Sequence, residues 1–222
     1  MSIRGRSLAH QCFRSILDLA DGLFCGVAVV QKEVKLMGDQ VSQPIVVRPL
    51  TGLGILLRRF HDATINFTLP ENGVWQNAIN GKSEVICHGD AGPYNIIFRN
   101  NLPVALIDFE RATPGPRVWD IAFVIYRFAP LCDSPRQAFT QALLQKIARR
   151  IRIFLNAYGF SQHDDLFNWM QLRLKTEIDL FESETTDDPI RRQKKIKAGH
   201  LALYKRDLRL IEEVSGDLGA LI

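Results

Sequence analysis

The sequence has little cysteine and histidine and no long apolar run. Its 222 residues include four cysteines and five histidines, and no Cys-x-x-Cys pair occurs. Scattered cysteines are typical of reduced thiols in a cytosolic protein, rather than of a disulfide framework or a zinc site. The longest apolar run near the start, residues 23–30, is too short to span a bilayer. We therefore predict a cytoplasmic protein with no membrane partner, although the basic start also leaves a targeting segment open.

The charge pattern is also informative through what it lacks. The formal net charge is only +4, and no stripe of lysines and arginines interleaved with aromatic residues is present. This argues against nucleic acid as a partner, whereas a mild positive charge suits an anionic ligand such as a nucleotide. The hydrophobic fraction of 46% is sufficient for the core of one large domain or two small ones.

Apolar periodicity divides the chain into a short strand cluster followed by helices. A first helix is predicted from residue 50 to before residue 67, because its apolar positions recur on one side. The predicted strands are 84–87, 95–98 and 104–109. The later predicted helices are 120–128, 135–158, 164–184 and 189–214, the first of them after a Pro-Gly-Pro turn at 114–116. Strands followed only by helices indicate an α+β fold rather than alternating βαβ units.

Two of these strands predict a hairpin that brings oxygen ligands together. With a four-residue loop at 100–103, Asn95 faces Asp108, and directly opposed residues lie about 5 Å apart. A carboxamide and a carboxylate supply the hard oxygen ligands that Mg²⁺ prefers. Asp90 lies in the loop leading to the same end of the hairpin. A carboxylate there is suited to accept a proton from a hydroxyl nucleophile.

Each of these residues taken alone has an ordinary structural interpretation. His88 suits a packed, hydrogen-bonded histidine, Asp90 a turn residue, and Asn95 a strand start. Asp120 precedes an apolar helix and suits an N-cap. The joint spacing is more specific, because His-x-Asp-x₄-Asn arises by chance in roughly one per cent of chains of this length.

The combined motifs resemble a known enzyme family. HGD at 88–90 with Asn95, IDF at 107–109 and WDIA at 119–122 are similar to the aminoglycoside phosphotransferase family, a small-molecule branch of the protein-kinase-like fold. The similarity runs from about Leu50 to about Glu213. It implies a kinase-like C-terminal lobe, in which a small β-hairpin catalytic core packs on a helical bundle.

The resemblance also implies roles for individual residues. Asp90 would be the catalytic base, and His88 would brace the catalytic loop. Asn95 and Asp108 would bind the Mg²⁺ ions that bridge the ATP phosphates, and Asp120 would support the loop from the helix start. The implied reaction moves the γ-phosphoryl group of ATP to a hydroxyl of a small molecule, either cationic or otherwise polar. Acidic residues on the later predicted helices are candidates for lining a substrate cleft, while exposed helix faces are their ordinary interpretation; they are Glu177, Asp179, Glu182 and Glu184. The sequence does not identify that acceptor.

The N-terminal part matches the resemblance poorly. We assign residues 1–48 to a short or divergent N-lobe remnant and residues 49–222 to the kinase-like C-lobe. Lys32 is the candidate for the lysine that contacts the ATP phosphates, with Lys35 as the alternative, while an exposed strand lysine is the ordinary interpretation. An incomplete N-lobe would expose apolar C-lobe surface, through which the protein would bind a partner or associate with itself.

Three functions therefore remain open at this point. The first is an ATP- and Mg²⁺-dependent phosphotransferase. The second is a catalytically impaired C-lobe remnant that binds a small molecule or a protein. The third is a metal-dependent hydrolase, which would need further His or carboxylate ligands near the hairpin, where the sequence offers only His88.

Overall fold

The structure is a computed structural model that describes residues 47–68, 75, 79, 82–129, 131, 139–183, 193, 196 and 199–222. Within these ranges the elements, in chain order, are α1 Val47–Ala63, β1 Val85–Cys87, β2 Ile96–Arg99, β3 Leu102–Leu106, β4 Thr113–Gly115, α2 Arg117–Phe128, α3 Gln141–Tyr158, α4 Leu166–Glu182 and α5 His200–Gly219. Short antiparallel strand pairs combined with longer helices confirm the α+β class. Residue 32, the candidate phosphate lysine, lies outside the described residues, as does almost all of the 1–48 segment.

The β2–β3 hairpin forms as predicted, but its register is not the predicted one. Asn100 and Asn101 have φ values of 51° and 61°, so they alone form a tight two-residue turn. The ladder pairs Arg99 with Leu102, then shifts by one residue after Phe98 through a β-bulge. The backbone N–H of Ile107 donates to Asn95 at 3.0 Å. Asn95 therefore lies opposite Ile107 rather than Asp108, and the predicted loop at 100–103 was wrong.

A second small sheet joins β1 to β4. Its antiparallel register pairs Val85 with Gly115 and Cys87 with Thr113. The Pro-Gly-Pro segment was predicted to be a turn, yet residues 113–115 form strand β4. Proline is compatible with this two-stranded edge because a strand at an edge needs only part of its N–H groups for pairing. The pairing brings the end of β1, and with it His88, close to the start of α2.

Helix α2 begins three residues earlier than predicted. Its N-cap is Pro116, so Asp120 lies in the first turn rather than before the helix. The N-cap interpretation of Asp120 was therefore wrong, and its carboxylate is available for other partners. All but two of the twelve residues of α2 are buried, which explains why this apolar segment forms a central helix.

The last three helices differ from their predicted bounds. α3 begins at Gln141, where the Thr140 side chain caps the helix by accepting from the Leu143 N–H at 3.3 Å. α4 covers residues 166–182. α5 begins after Gly199, which has a left-handed φ of 83° and interrupts the helix predicted over 189–214. Of residues 189–198, only 193 and 196 are described.

One large hydrophobic core joins the helices to the hairpin. α1 packs against α3 and β3, α2 packs on α4, and α4 pairs with α5. On α1, Leu50, Leu53, Leu57 and Phe60 are buried with helical spacing. Each such side chain contributes about 1.5–3 kcal/mol on burial. Among the described helices, none is long and apolar enough to cross a bilayer.

Candidate active site

The loop from residue 88 to residue 95 connects β1 to β2 and contains three of the predicted site residues. Its first residue, His88, is fully buried, whereas Asp90 is partly exposed and Tyr94 is 41% exposed. The loop thus leaves the core at its inner end, His88 and Gly89, and approaches the surface at its outer end, Asp90 and Tyr94. Asn95, which follows, is again buried, with 5% exposure. The hairpin β2–β3 follows directly, so Asp108, at the end of the returning strand, comes back beside the loop.

The His88 side chain connects the loop to the end of β3. Its Nε2 lies 3.0 Å from the carbonyl oxygen of Ile107, and the Asp90 N–H donates to its Nδ1 at 3.3 Å. Because a carbonyl only accepts and an N–H only donates, these partners select the neutral ring protonated at Nε2. Burial lowers the pKa of His88, which favours the same neutral form. His88 therefore links the residue before Asp108 to Asp90.

Asp120 holds the start of the loop from α2. Its carboxylate accepts the N–H of His88 at 2.5 Å and the N–H of Gly89 at 2.9 Å. Burial raises the pKa of Asp120, but the hydrogen bond and attraction of His61, together with the loop contacts, outweigh burial and lower the pKa. A fully buried carboxylate therefore remains ionised and fixes two consecutive loop amides.

Behind Asp120 lies a second histidine that the sequence did not single out as functional. His61 Nε2 lies 3.1 Å from Asp120, and its Nδ1 lies 2.6 Å from the Tyr158 hydroxyl. Arg117 in turn donates to the Tyr158 oxygen at 3.1 Å. Because the ionised Asp120 carboxylate only accepts, His61 Nε2 carries a proton and donates to it. The available signal was a histidine on the apolar side of α1, where an unpaired polar ring is costly.

Asp90 and Asn95 are in direct contact at the outer end of the loop. The Asn95 amide nitrogen donates to the Asp90 backbone oxygen at 2.8 Å and to its Oδ2 at 3.3 Å. The Tyr94 hydroxyl donates to the other carboxylate oxygen, Oδ1, at 2.6 Å. Burial raises the pKa of Asp90 above its usual value, although the Tyr94 hydrogen bond and the charges of Arg111 and Arg173 oppose the change. A raised pKa makes the carboxylate a better base.

Asp108 lies one residue beyond the backbone position paired with Asn95. Its backbone is left-handed, with φ 62° and ψ 69°, and it ends the hairpin before a short 3₁₀ turn at Phe109–Arg111. Aspartate is among the few residues that adopt this conformation readily. The side chain of Asp108 is exposed. Charges of both Asp90 and Asp108 act on His88, so both carboxylates lie near that ring.

A buried arginine fastens the loop from α4. Arg173 is 1% exposed and donates from Nη2 to the carbonyl oxygen of Gly89. Its guanidinium carbon lies 4.9 Å from the ring centre of Trp119 and 4.6 Å from that of Phe123. The φ of Gly89 is 77°, and a Cβ there would lie 2.2 Å from the Arg111 carbonyl oxygen. Only glycine fits at the middle of the HGD motif.

Glu177 forms ion pairs with this arginine and with Arg111. Its Oε1 contacts Arg173 Nη1 and lies 2.7 Å from Arg111 Nη2. Burial opposes ionisation, but attraction to Arg173 and Arg111 lowers the pKa of Glu177 to about 2. The sequence offered Glu177 as a candidate for an acidic cleft wall that binds a cationic substrate. The structure instead shows a 6% exposed carboxylate occupied by two internal cations.

The donor set is suited to magnesium bound through few protein ligands. Because the Asn95 amide nitrogen is used inside the loop, its Oδ1 is the candidate ligand oxygen, and the exposed Asp108 carboxylate is the second candidate. Mg²⁺ commonly takes one or two protein oxygens and completes its shell with water and phosphate. Within the described part of the chain, no group of three or more His, Cys, Asp and Glu side chains forms a metal cluster.

The structure thus brings together most of the residues that the sequence singled out. His88, Asp90 and Asn95 share one loop, Asp108 follows the adjoining strand, and Asp120 supports the loop from behind. The sequence missed the contributions of further side chains to this site, namely His61, Tyr94, Arg111, Tyr158 and Arg173. The lysine at position 32 stays a prediction because it lies outside the described ranges.

Comparison with known proteins supports the resemblance. The model of the phosphotransferase enzyme family (APH) matches residues 51–154, which cover α1 from Thr51 onward, the loop, both small sheets, α2 and most of α3. The similarity predicted from the sequence motifs is confirmed over this segment. No solved structure matches the chain.

A relative in Rhizobium leguminosarum bv. trifolii is described as a trifolitoxin immunity protein. It is 36% identical over 116 residues, which is 49% of this chain and 44% of the relative. The matched part thus spans less than half of the length of that relative.

Proposed function

We propose that this chain transfers the γ-phosphoryl group of ATP to a hydroxyl of a small molecule in a Mg²⁺-dependent reaction. The observation that carries the proposal is the contact of Asp90 with Asn95 at the hairpin end that Asp108 follows. This contact supports Asp90 as the base and Asn95 as one candidate metal ligand, with Asp108 beyond the end of β3 as the other. The match of residues 51–154 to a phosphotransferase family supports the same reaction class.

In this mechanism Asp90 takes the proton from the acceptor hydroxyl. The acceptor oxygen then bonds to the terminal phosphorus of ATP while the bond from that phosphorus to the bridging oxygen breaks, and ADP leaves. Asn95 and Asp108 would hold the magnesium ion, which neutralises phosphate charge when bound. Asp120 and Arg173 hold the backbone of His88 and Gly89, so the base starts from a fixed position.

The charges near Asp90 define only in part which class of small molecule accepts the phosphoryl group. Arg111 and Arg173 are the cations whose fields reach Asp90, and both are paired with Glu177. On α4, Glu182 also contacts Lys205, while Asp179 is exposed. Two of the carboxylates offered for a cationic acceptor are therefore already engaged. We infer an acceptor that is small and hydroxylated, with a cationic group as one option.

The test is turnover of Mg·ATP with a panel of hydroxylated small molecules, measured as ADP release and as phosphorylated product. We expect Asp90→Asn to lower kcat by about 10²–10⁴-fold, since general base catalysis contributes that much. The matched control is Asp217→Asn, the same change on an exposed carboxylate of α5 that is not among the candidate site residues. Equal turnover in wild type and Asp90→Asn would rule out catalysis by this site.

Metal and nucleotide binding are tested separately by thermal unfolding. Addition of Mg·ATP should raise Tm by mass action, and Asp108→Ala should abolish that rise. Removing Mg²⁺ with a chelator should also abolish the rise in Tm of the wild type. An Asp108→Ala protein that keeps the full shift would remove this residue from the proposed metal site.

A second candidate function is protection by binding without phosphoryl transfer. The description of the relative as an immunity protein favours it, because immunity is achieved either by modifying a toxic compound or by sequestering it. The two are separated by expressing wild type and Asp90→Asn in a host challenged with the same panel. Protection that survives Asp90→Asn supports binding, and protection that is lost supports catalysis.

A further inference from the structure

We propose that Tyr94 is a positioning residue that fixes the orientation of the Asp90 carboxylate toward the acceptor hydroxyl. The role rests on the phosphotransferase function proposed above. Tyr94 lies between Pro93 and Asn95 at the outer end of the loop, where its side chain is 41% exposed. Nothing in the HGD and Asn95 motif itself requires a tyrosine at this position.

The contacts of Asp90 show how the orientation is fixed. The Tyr94 hydroxyl donates to Oδ1 at 2.6 Å, while the Asn95 amide reaches Oδ2 at 3.3 Å. Each carboxylate oxygen therefore has one donor, and the shorter bond comes from Tyr94. A carboxylate has about four acceptor positions, so two remain for an incoming hydroxyl. Holding both oxygens restricts rotation of the carboxylate plane, which keeps those two positions in one place.

The neighbours of Tyr94 hold its ring in the position that makes this bond. The guanidinium carbon of Arg127 lies 5.7 Å from the ring centre, within range of a cation–π interaction. At Gly92, a Cβ would lie 2.7 Å from the Tyr94 ring, so the chain leaves space for the ring there. The ring remains 41% exposed despite these contacts. Its position is therefore set by specific neighbours rather than by burial in the core.

The experiment compares two tyrosines that each donate to an aspartate. Tyr94→Phe removes only the donor to Asp90, and we expect kcat to fall by about 10–100-fold, with the KM for ATP unchanged. The control is Tyr126→Phe, because the buried Tyr126 hydroxyl donates to a different aspartate, Asp207, at 2.8 Å. We expect this control to lower Tm and to leave kcat unchanged.

Unchanged or increased kcat in Tyr94→Phe would overturn the proposal, since an increase would mean that Tyr94 competes with the acceptor for Asp90. A second measurement does not need turnover. Crystal structures of wild type and Tyr94→Phe should show the Asp90 carboxylate turned from its wild-type orientation, and an unchanged carboxylate would overturn the proposal. If the wild type phosphorylates no acceptor, the proposed function fails, and the orientation of Asp90 is still decided by these structures.

Discussion

The two ends of the loop at residues 88–95 differ in almost every physical property. At the inner end, His88 is fully buried and the amides of His88 and Gly89 are held by the Asp120 carboxylate. At the outer end, Asp90 and the exposed Tyr94 contact one another near the surface. At the inner end both amides already have their hydrogen-bond acceptor. At the outer end the Asp90 carboxylate retains acceptor positions that a substrate hydroxyl can use.

The difference shows how one short segment combines stability with chemistry. Buried polar groups are tolerated only when they are hydrogen-bonded, so the inner end contributes to the fold and cannot change without cost. The outer end buries little side-chain surface, so its side chains contribute little to the stability of the fold. They are therefore available for the proposed reaction. We therefore expect changes at the inner end to reduce both stability and activity, and changes at the outer end to reduce activity alone.

The largest effect is expected for Asp120→Ala. Removing this carboxylate leaves the two loop amides and His61 without their acceptor, which should reduce the free energy of unfolding by about 3–5 kcal/mol and abolish turnover. Asp90→Ala should abolish turnover with little loss of stability. The measurements are denaturant unfolding and turnover per folded molecule.

A third aspartate provides the matched control for Asp120. Asp207 is equally buried, but it accepts from Tyr126 on α2 and Arg206 on α5 rather than from the amides of the loop. Asp207→Ala should lower stability while turnover per folded molecule is kept. If Asp120→Ala behaved in the same way, the inner end would have no effect on catalysis and the comparison would fail.

A smaller effect is expected from acidification, through Glu177. Its pKa is lowered from 4.5 to about 2 in the folded protein, so its stabilising contribution is present above pH 4.5 and is lost as the pH falls towards 2. The size of that contribution is on the order of 3 kcal/mol. Urea unfolding at several pH values should show the loss in the wild type.

The control for Glu177 is Glu177→Gln, which cannot titrate. This variant should be less stable at neutral pH, because Arg173 and Arg111 lose their shared carboxylate. Its stability should then fall less than that of the wild type between pH 4.5 and 2. Parallel curves for the two proteins would show that the Arg–Glu–Arg cluster does not contribute to the acid sensitivity.

The smallest effects come from two glycines with the same backbone conformation. Gly89 and Gly199 have φ values of 77° and 83°, but a Cβ at Gly89 meets the Arg111 carbonyl, whereas nothing lies within 4 Å at Gly199. Gly199→Ala should cost about 1 kcal/mol for the left-handed backbone alone, and Gly89→Ala about 2 kcal/mol or more. Thermal unfolding of both variants measures the difference. Equal losses would show that the loop shifts to accommodate a side chain.

The sequence predicted best those features that depend on neighbouring residues. A hairpin with a short turn follows from two apolar runs on either side of Asn100 and Asn101, and helix α1 follows from its apolar spacing. The bulge at the step between Ile97 and Phe98 did not follow, because a one-residue shift in pairing leaves the apolar pattern on each strand unchanged. Strand β4 was hidden by its Pro-Gly composition, which is more typical of turns.

The supporting contacts of the site were harder to predict because they join distant parts of the chain. Arg173 is 84 positions from Gly89, and His61 is 59 positions from Asp120. Their local signal was only a charge or a ring on an apolar helix face. The four-residue spacing of Arg173 and Glu177 allows an ion pair on one helix face, but it does not show that the pair is buried. Burial is decided by packing that a single helix does not specify.

The ionisation states of His88, Asp120 and Glu177 affect the electrostatic field at Asp90, the proposed base. Burial lowers the pKa of His88, and hydrogen bonds and cations lower those of Asp120 and Glu177, so near neutral pH the histidine is neutral and both acids are charged. None of these three groups exchanges a proton there. The field that these three groups impose on Asp90 is therefore constant from neutral to mildly alkaline pH, and the support of the loop behaves there as a fixed electrostatic reference.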